Sequence, residues 1–326
     1  MKTSAKHKSF LILAMNDSTV PSTEDDNNNI QLLNGSAREA ASGPLYVNRI
    51  SPQDYLEPRK INGSSNNADT YALTRDCNAS TRLTAQHYLW KGLLGFLLHP
   101  EIPTEAPNLR VADVATGNGI WLHDFAGTKP TSAELHGFDI SLDQAGPKAW
   151  LPINVRMHVW NIFEPPPPQF LGYFDVVHVR LITVVIKNND PLPVLANLTK
   201  LLKPGGYLQW DEVDTIGCYI KTVPGKSGEH LTKLNSQLKG HDTWKHQLEQ
   251  LMSSNGYCDT SLYTYETGLG MARFWNDLYV STWKEFAATV LRTPEASHEL
   301  EQRGMTEARQ GAAIITPKLV WVARKI

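Results

Sequence analysis

The chain has 326 residues, 41% of them hydrophobic and 20% charged, with a formal net charge of -2. That length buries a full core and accommodates one α/β domain with accessory segments. A charge this close to zero without clustered Lys and Arg argues against a nucleic-acid substrate, and no run approaches the roughly twenty apolar residues of a membrane span.

The basic start Lys2 to Lys8 leads into the apolar run Phe10 to Met15, which is too short for the core of an export signal, so the expected location is cytoplasmic. Asn16 to about Gly43 is polar and poor in aromatics, the composition of a disordered tail. Leu83, His87, Trp90, Leu94 and Leu97 recur at helical spacing and predict an amphipathic helix within Tyr71 to Leu98, stopped by Pro100. From Leu109 onward, short apolar runs alternate with helical ones, the pattern of a parallel sheet covered on both faces. Strands are expected at Arg110 to Ala115, Glu134 to Ile140, Val155 to Asn161, Phe174 to Val179 and Gly206 to Asp211. Pro191 to Leu202 reads as a helix ended by Lys203 to Gly206, and Lys221 to Gly240 as loop. Thr243 to Ser254 reads as a helix, Cys258 to Glu266 and Ile314 to Lys325 as two strands, and Met271 to Gln310 as helices that return over a pocket. The proline run Pro165 to Pro168 reads as a rigid surface connector. Cys77, Cys218 and Cys258 lie far apart, so neither a zinc spacing nor a disulfide framework is visible and no metal is expected.

The most informative segment is Val111 to Trp121, VADVATGNGIW, a strand running into a glycine turn. Gly117 and Gly119 remove side chains where a backbone must bend tightly and approach a ligand. Asp139 follows at the end of the next expected strand, where a carboxylate accepts from ribose hydroxyls. A glycine loop with a downstream acid serves dinucleotides and other adenosine cofactors alike. Two details disfavour a pyrophosphate: Leu122 stands where a dinucleotide site has its third glycine, and Asp113 would repel phosphates yet suits a cationic amino-acid tail.

These residues resemble the class I methyltransferase family, and more narrowly the fungal natural-product methyltransferases with an N-terminal helical cover. Beyond Asp113 to Gly119, the resemblance rests on FDVVHVRL (Phe174 to Leu181), LLKPGGYLQWDE (Leu201 to Glu212) and RLTAQHYLW (Arg82 to Trp90). It implies a Rossmann-like α/β fold, a seven-stranded mostly parallel sheet with an antiparallel last strand. The corresponding organisation is a tail over 1–45, a helical cover over 46–105 and a methyltransferase domain over 106–326, with cap insertions near 215–240 and 268–310. It also implies S-adenosylmethionine, with Asp113, Ala115, Gly117 and Gly119 facing its methionine part, Asp139 and Ile140 its ribose, Asn161 and Ile162 its adenine edge, and Arg180 beside it. Two positions depart from the family pattern. Ala115 stands in place of a glycine, tolerable if its φ is negative, and Asn161 in place of an aspartate, whose amide carbonyl still accepts a hydrogen bond.

Methyl transfer from a sulfonium asks the protein to position the acceptor and remove a proton, so His87 and His178 are candidate bases and Glu212 a candidate acceptor-binding or proton-abstracting acid. The plain alternatives are a sheet histidine, a helix-face histidine and a turn-capping acid. Arg82, Gln86, Trp210 and Trp275 are expected near the acceptor; Met271, Phe274, Trp275, Tyr279 and Trp283 have core-like helical spacing, with one or two lining the pocket. The expected function is O- or N-methylation of a small secondary metabolite, with no nucleic-acid or membrane partner and a homodimer conceivable through the N-terminal helices. Two alternatives stay open: a methyltransferase-fold cyclase using the cofactor electrostatically, and a non-catalytic methyltransferase-like regulator. On this reading Asp113→Ala abolishes cofactor binding and leaves the fold intact.

Overall fold

A computed structural model describes residues 73–236, 242–289 and 294–326; the expected tail and the first part of the cover, to residue 72, lie outside the described residues. The elements run α1 (Cys77–Leu94), β1 (Arg110–Val114), α2 (Ile120–Ala126), β2 (Glu134–Asp139), β3 (Val155–Val159), β4 (Phe174–Arg180), α3 (Leu192–Leu201), β5 (Leu202–Val213), β6 (Tyr219–Thr222), α4 (Glu229–Ser236), α5 (Leu248–Ser254), β7 (Tyr257–Tyr265), α6 (Leu269–Thr289), α7 (Pro294–Arg309), β8 (Ala312–Ile315) and β9 (Lys318–Lys325).

Seven strands form one sheet in the order β3-β2-β1-β4-β5-β9-β7. β1 through β5 pair in parallel, and β9 runs antiparallel between β5 and β7. The expected mostly parallel sheet with an antiparallel last strand is therefore present. Strand order reverses between β1 and β4, and the carboxyl ends of those strands flank the crevice where open α/β sheets bind ligands.

Burial on both faces explains the near-continuous apolar runs: Val111, Ala112, Val114, Val176, Val177 and Val179 are all buried. One face packs against Leu195, Leu198 and Leu201 of α3, and the other against Trp121, Leu122 and Phe125 of α2. Truncating such a leucine to alanine costs about 2–5 kcal/mol.

The cover helix is shorter than its periodicity suggested. Asp76 caps it by accepting from the Ala79 N–H at 2.9 Å, and Gly95 stops it at φ 78°. Two departures come late in the chain. The strand expected across Ile314 to Lys325 breaks at Pro317, which has no N–H to donate, and the two pieces join different sheets. β8 pairs with β6 to form a separate antiparallel ribbon, and the segment read as loop from Lys221 holds the second half of β6 and the whole of helix α4. None of the described helices is long and apolar enough to cross a membrane.

Candidate active site

β1 delivers the chain into a turn with three left-handed residues, Ala115 at φ 58°, Gly117 at 59° and Gly119 at 79°, before α2 begins. The condition set for Ala115, a negative φ, is not met. Its Cβ crowds the backbone at a strain of about 1–2 kcal/mol. The turn is held from three sides. Thr116 N–H donates to the Phe138 carbonyl at 3.0 Å, Gly117 N–H donates to Asp139 Oδ2 at 2.8 Å, and Asn118 Nδ2 donates to Thr84 Oγ1 of α1 at 3.0 Å. Leu83 of α1 roofs Gly117 so closely that a Cβ there would lie 3.1 Å from its Cδ1. An open cleft of about 640 Å³ lies between the first turns of α1 and the segment after β2, lined by Arg75, Ser80, Thr84, Asp143 and Gln144 among others.

Asp139 ends β2 half-buried, and burial raises its pKa against the pull of the Gly117 and Ser141 N–H groups. The next residue, Ile140, is 39% exposed. Further along the same edge, Asn161 Oδ1 accepts from the Phe163 N–H at 3.1 Å, closing its own turn, and the Ile162 carbonyl accepts from Asn197 at 2.8 Å. Asn161 thus spends a lone pair locally rather than facing outward unpaired.

Asp113, expected beside the cofactor, is bonded to internal partners. It is 3% exposed, with Oδ2 accepting from Thr116 Oγ1 at 2.6 Å and Oδ1 2.7 Å from His178 Nδ1. The other ring nitrogen of His178 lies 3.5 Å from Asp211 Oδ2, which also accepts from Gln209 at 3.2 Å. The indole of Trp121 stacks on the imidazole, centroids 4.2 Å apart and planes 9° from parallel. Burial opposes charge on His178, but Asp113 and Asp211 outweigh it and hold its pKa above the usual value. Both ring nitrogens face carboxylates, which accept and do not donate, so this network engages His178 within the fold. Asp211 Oδ1 is buried with no hydrogen-bond donor among the described residues.

His87 is the opposite case. Arg180 Nη2 lies 3.2 Å from its Nδ1, and a guanidinium only donates, so the proton sits on Nε2 and is donated to Asp124 Oδ2 at 2.9 Å. Burial, then the Arg180 charge, lowers the His87 pKa and keeps the ring neutral.

Glu212 is buried and committed. It accepts from Ile182 N–H at 2.9 Å, Thr183 Oγ1 at 2.8 Å and Trp210 Nε1 at 3.3 Å, fastening the turn after β4. Burial raises its pKa against the pull of Lys245, 3.8 Å away. Arg82, expected near the acceptor, donates instead to Glu285 of α6 at 3.1 Å, and Glu285 also accepts from Thr74 N–H at 2.6 Å. These bonds tie the start of α1 to α6. Trp210 is a buried core residue against Trp244. Trp275 of α6 and Trp90 of α1 meet edge to face at 6.0 Å, whereas Phe274 of α6 is 57% exposed despite its core-like spacing.

Lys318, which the sequence reading passed over, opens β9 opposite Val213 of β5 and Tyr265 of β7 at the same sheet edge. Its side chain is fully buried, with Nζ 4.0 Å from the Trp275 ring centroid. The available signal is its place: a lysine directly after Pro317, leading an otherwise apolar strand, Leu319 to Ala323.

The edge suits a cationic, ribose-bearing ligand. Gly117 and Gly119 put no side chain in its way, Asp139 stands beside the cleft, and the orphaned Asp211 oxygen is an acceptor awaiting a donor. The sequence matches the methyltransferase-domain family over residues 84–261. It is 35% identical over 146 residues to the N-methyltransferase tcpN of Claviceps purpurea, covering 44% of this chain and 52% of that one. It is 34% identical over 168 residues to the methyltransferase grgD of a Penicillium species, covering 49% and 56%. With the N-methyltransferase gliN of Aspergillus fumigatus it shares 36% identity over 143 residues, covering 44% and 50%. The chain thus spans about half the length of the curated relatives it matches. A solved structure of Haemonchus contortus phosphoethanolamine N-methyltransferase 2 aligns with a TM-score of 0.44 at 15% identity, over 76% of this chain and 57% of that one. By the family match across more than half its length, the chain belongs to the class I methyltransferase-domain family, whose methyl donor is S-adenosylmethionine.

Proposed function

We propose that this chain transfers a methyl group from S-adenosylmethionine to a nitrogen, or alternatively an oxygen, of a small organic acceptor. The observation that carries the reading is the left-handed turn Ala115 to Gly119, hydrogen-bonded to Asp139 beside the open cleft. The N-methyltransferase names of the relatives support nitrogen first. The aromatic faces that α1 and α6 lay over the sheet edge suit a small, partly apolar molecule.

When bound, S-adenosylmethionine supplies a methyl group on a sulfonium centre, already activated for displacement. In this reading Gly117 and Gly119 give backbone access, Asp139 takes the ribose hydroxyls with Ile140 against the sugar, and Asn161 and Ile162 border the base. Asp211 Oδ1 offers a buried acceptor to the cationic portion. Asp113 and His178 act through Asp211: the imidazolium held between them fixes its carboxylate. His87 is the proton acceptor, because Asp124 receives its Nε2–H and leaves Nδ1 as the basic nitrogen once Arg180 turns aside. Glu212 holds the β4 turn and moves no proton.

Calorimetry with S-adenosylmethionine, with NAD as control, tests the cofactor assignment, and mass analysis for S-adenosylhomocysteine in the presence of candidate amines tests turnover. Binding of S-adenosylmethionine alone supports the reading; equal binding of NAD, or none of either, overturns it. Ala115 in its left-handed conformation favours a second reading, cofactor binding without transfer, for which the cofactor is recovered unchanged.

A further inference from the structure

We infer that the acceptor site recognises an anionic oxygen, with Lys318 as the specificity-determining cation and Arg180 as its companion across the Trp90 ring. The inference rests on the methyltransferase reading only in calling the bound molecule an acceptor.

The sheet edge where β4 ends and β9 begins, near α1 and α6, is rich in donors. Lys318 Nζ lies 5.7 Å from the Trp90 centroid, and the Arg180 guanidinium carbon lies 5.5 Å from the same centroid. Tyr279 and Trp275 complete the walls around the amine, at 5.5 Å and 4.0 Å. The polar neighbours of Lys318 Nζ are all neutral: the Thr316 carbonyl at 2.6 Å, Tyr279 OH at 2.8 Å and Thr267 Oγ1 at 3.4 Å. Arg180 reaches only the neutral His87. Among the described residues no carboxylate comes within ion-pair distance of either cation; Glu266 acts on Lys318, and Asp113 and Asp211 act on Arg180, from farther away. Among the described residues the Nε1–H groups of Trp90 and Trp275, both buried, find no acceptor either.

Burying a cation without a partner costs several kcal/mol, and each orphaned donor adds about 1–3 kcal/mol. Two cations beside Trp90 and the two indole donors of Trp90 and Trp275, with no carboxylate in contact among the described residues, are what an incoming carboxylate would satisfy, and the flat walls suit an aromatic or heteroaromatic body. Burial holds the Lys318 amine down to about 7. Burial pushes the Tyr279 phenol up, so it stays protonated while its oxygen accepts from the Lys318 amine. An arriving anion therefore draws a proton onto Lys318 when the solution lies above that value.

Calorimetry on the full chain with indole-3-carboxylate and its neutral isostere indole-3-carboxamide as probes, at pH 8 in two buffers of different ionisation heat, tests this. The expected result is at least about tenfold tighter binding of the carboxylate, accompanied by proton uptake that shrinks at pH 6. Lys318→Met removes both the preference and the uptake. Lys318→Arg keeps the preference without the uptake, which separates charge recognition from a folding defect. Equal affinity for the two probes, no carboxylate binding, or an undiminished preference in Lys318→Met overturns the inference. S-adenosylmethionine binding by the same preparation reports on the cofactor reading independently.

Discussion

The carboxyl edge of the sheet has two halves with opposite chemistry. Where β1, β4 and β5 end, Asp113 and Asp211 close on one imidazolium and leave an acceptor oxygen over. Where α1, α6 and β9 meet, Lys318, Arg180 and the Trp275 indole gather around Trp90, with no carboxylate in contact among the described residues. Most of these groups are buried, so solvent screens them weakly and each buried polar group calls for a partner. The first half answers most of its groups internally and behaves as structure. The second leaves cations unanswered, the arrangement expected where a ligand supplies the missing charge.

The largest effect should come from breaking the first half. Asp113→Asn leaves the His178 imidazolium facing one carboxylate in the interior and should cost about 3–5 kcal/mol in a urea unfolding titration. That outcome replaces the sequence-based expectation that Asp113→Ala spares the fold; an unchanged midpoint would show that the network contributes nothing. Next, Glu285→Ala removes the acceptor shared by Thr74 and Arg82. The loss should be about 1–3 kcal/mol, with early hydrogen exchange in the first turns of α1.

The two halves should also separate by pH. The folded His178 pKa is raised above 6.5, so its stabilisation is complete below that value and disappears as pH rises through the folded pKa. The folded Lys318 pKa is lowered from 10.5 to about 7, so its contribution is present above 10.5 and is lost as pH falls through about 7. Between those two values the Lys318 contribution to stability climbs with pH. Lys318→Met should flatten the climb, and a slope unchanged by that substitution would show that the amine does not titrate there. The smallest effect is at the turn: Ala115→Gly relieves a left-handed alanine and should gain about 1 kcal/mol, read as a rise in the thermal midpoint.

The sheet was legible because its strands are two-sided and apolar and the chain marks their ends with Gly117, Gly119, Gly205 and Gly206. β6 was not, because Tyr219 to Thr222 is a short, largely exposed strand whose partner, β8, lies about ninety residues on in the sequence. The glycine loop and Asp139 could be placed in one site because they are local in sequence. The surroundings of Arg82, Glu212 and His178 could not, because each is held by a partner outside its own element. The pairing of Arg82 with Glu285 spans 203 positions, and a carboxylate satisfied by Ile182, Thr183 and Trp210 is spelled no differently from a catalytic one. Lys318 was missed because its place after Pro317 marks the start of an apolar strand without showing that aromatic rings from α1 and α6 enclose the amine.

The most direct test of the account is calorimetric titration of S-adenosylmethionine into the intact protein and into Asp139→Asn, with NAD as control. The account predicts micromolar binding to the unaltered chain, at least about tenfold weaker binding to the variant, and none of NAD. Equal affinity of the two proteins for S-adenosylmethionine, or binding of NAD at similar strength, would contradict it.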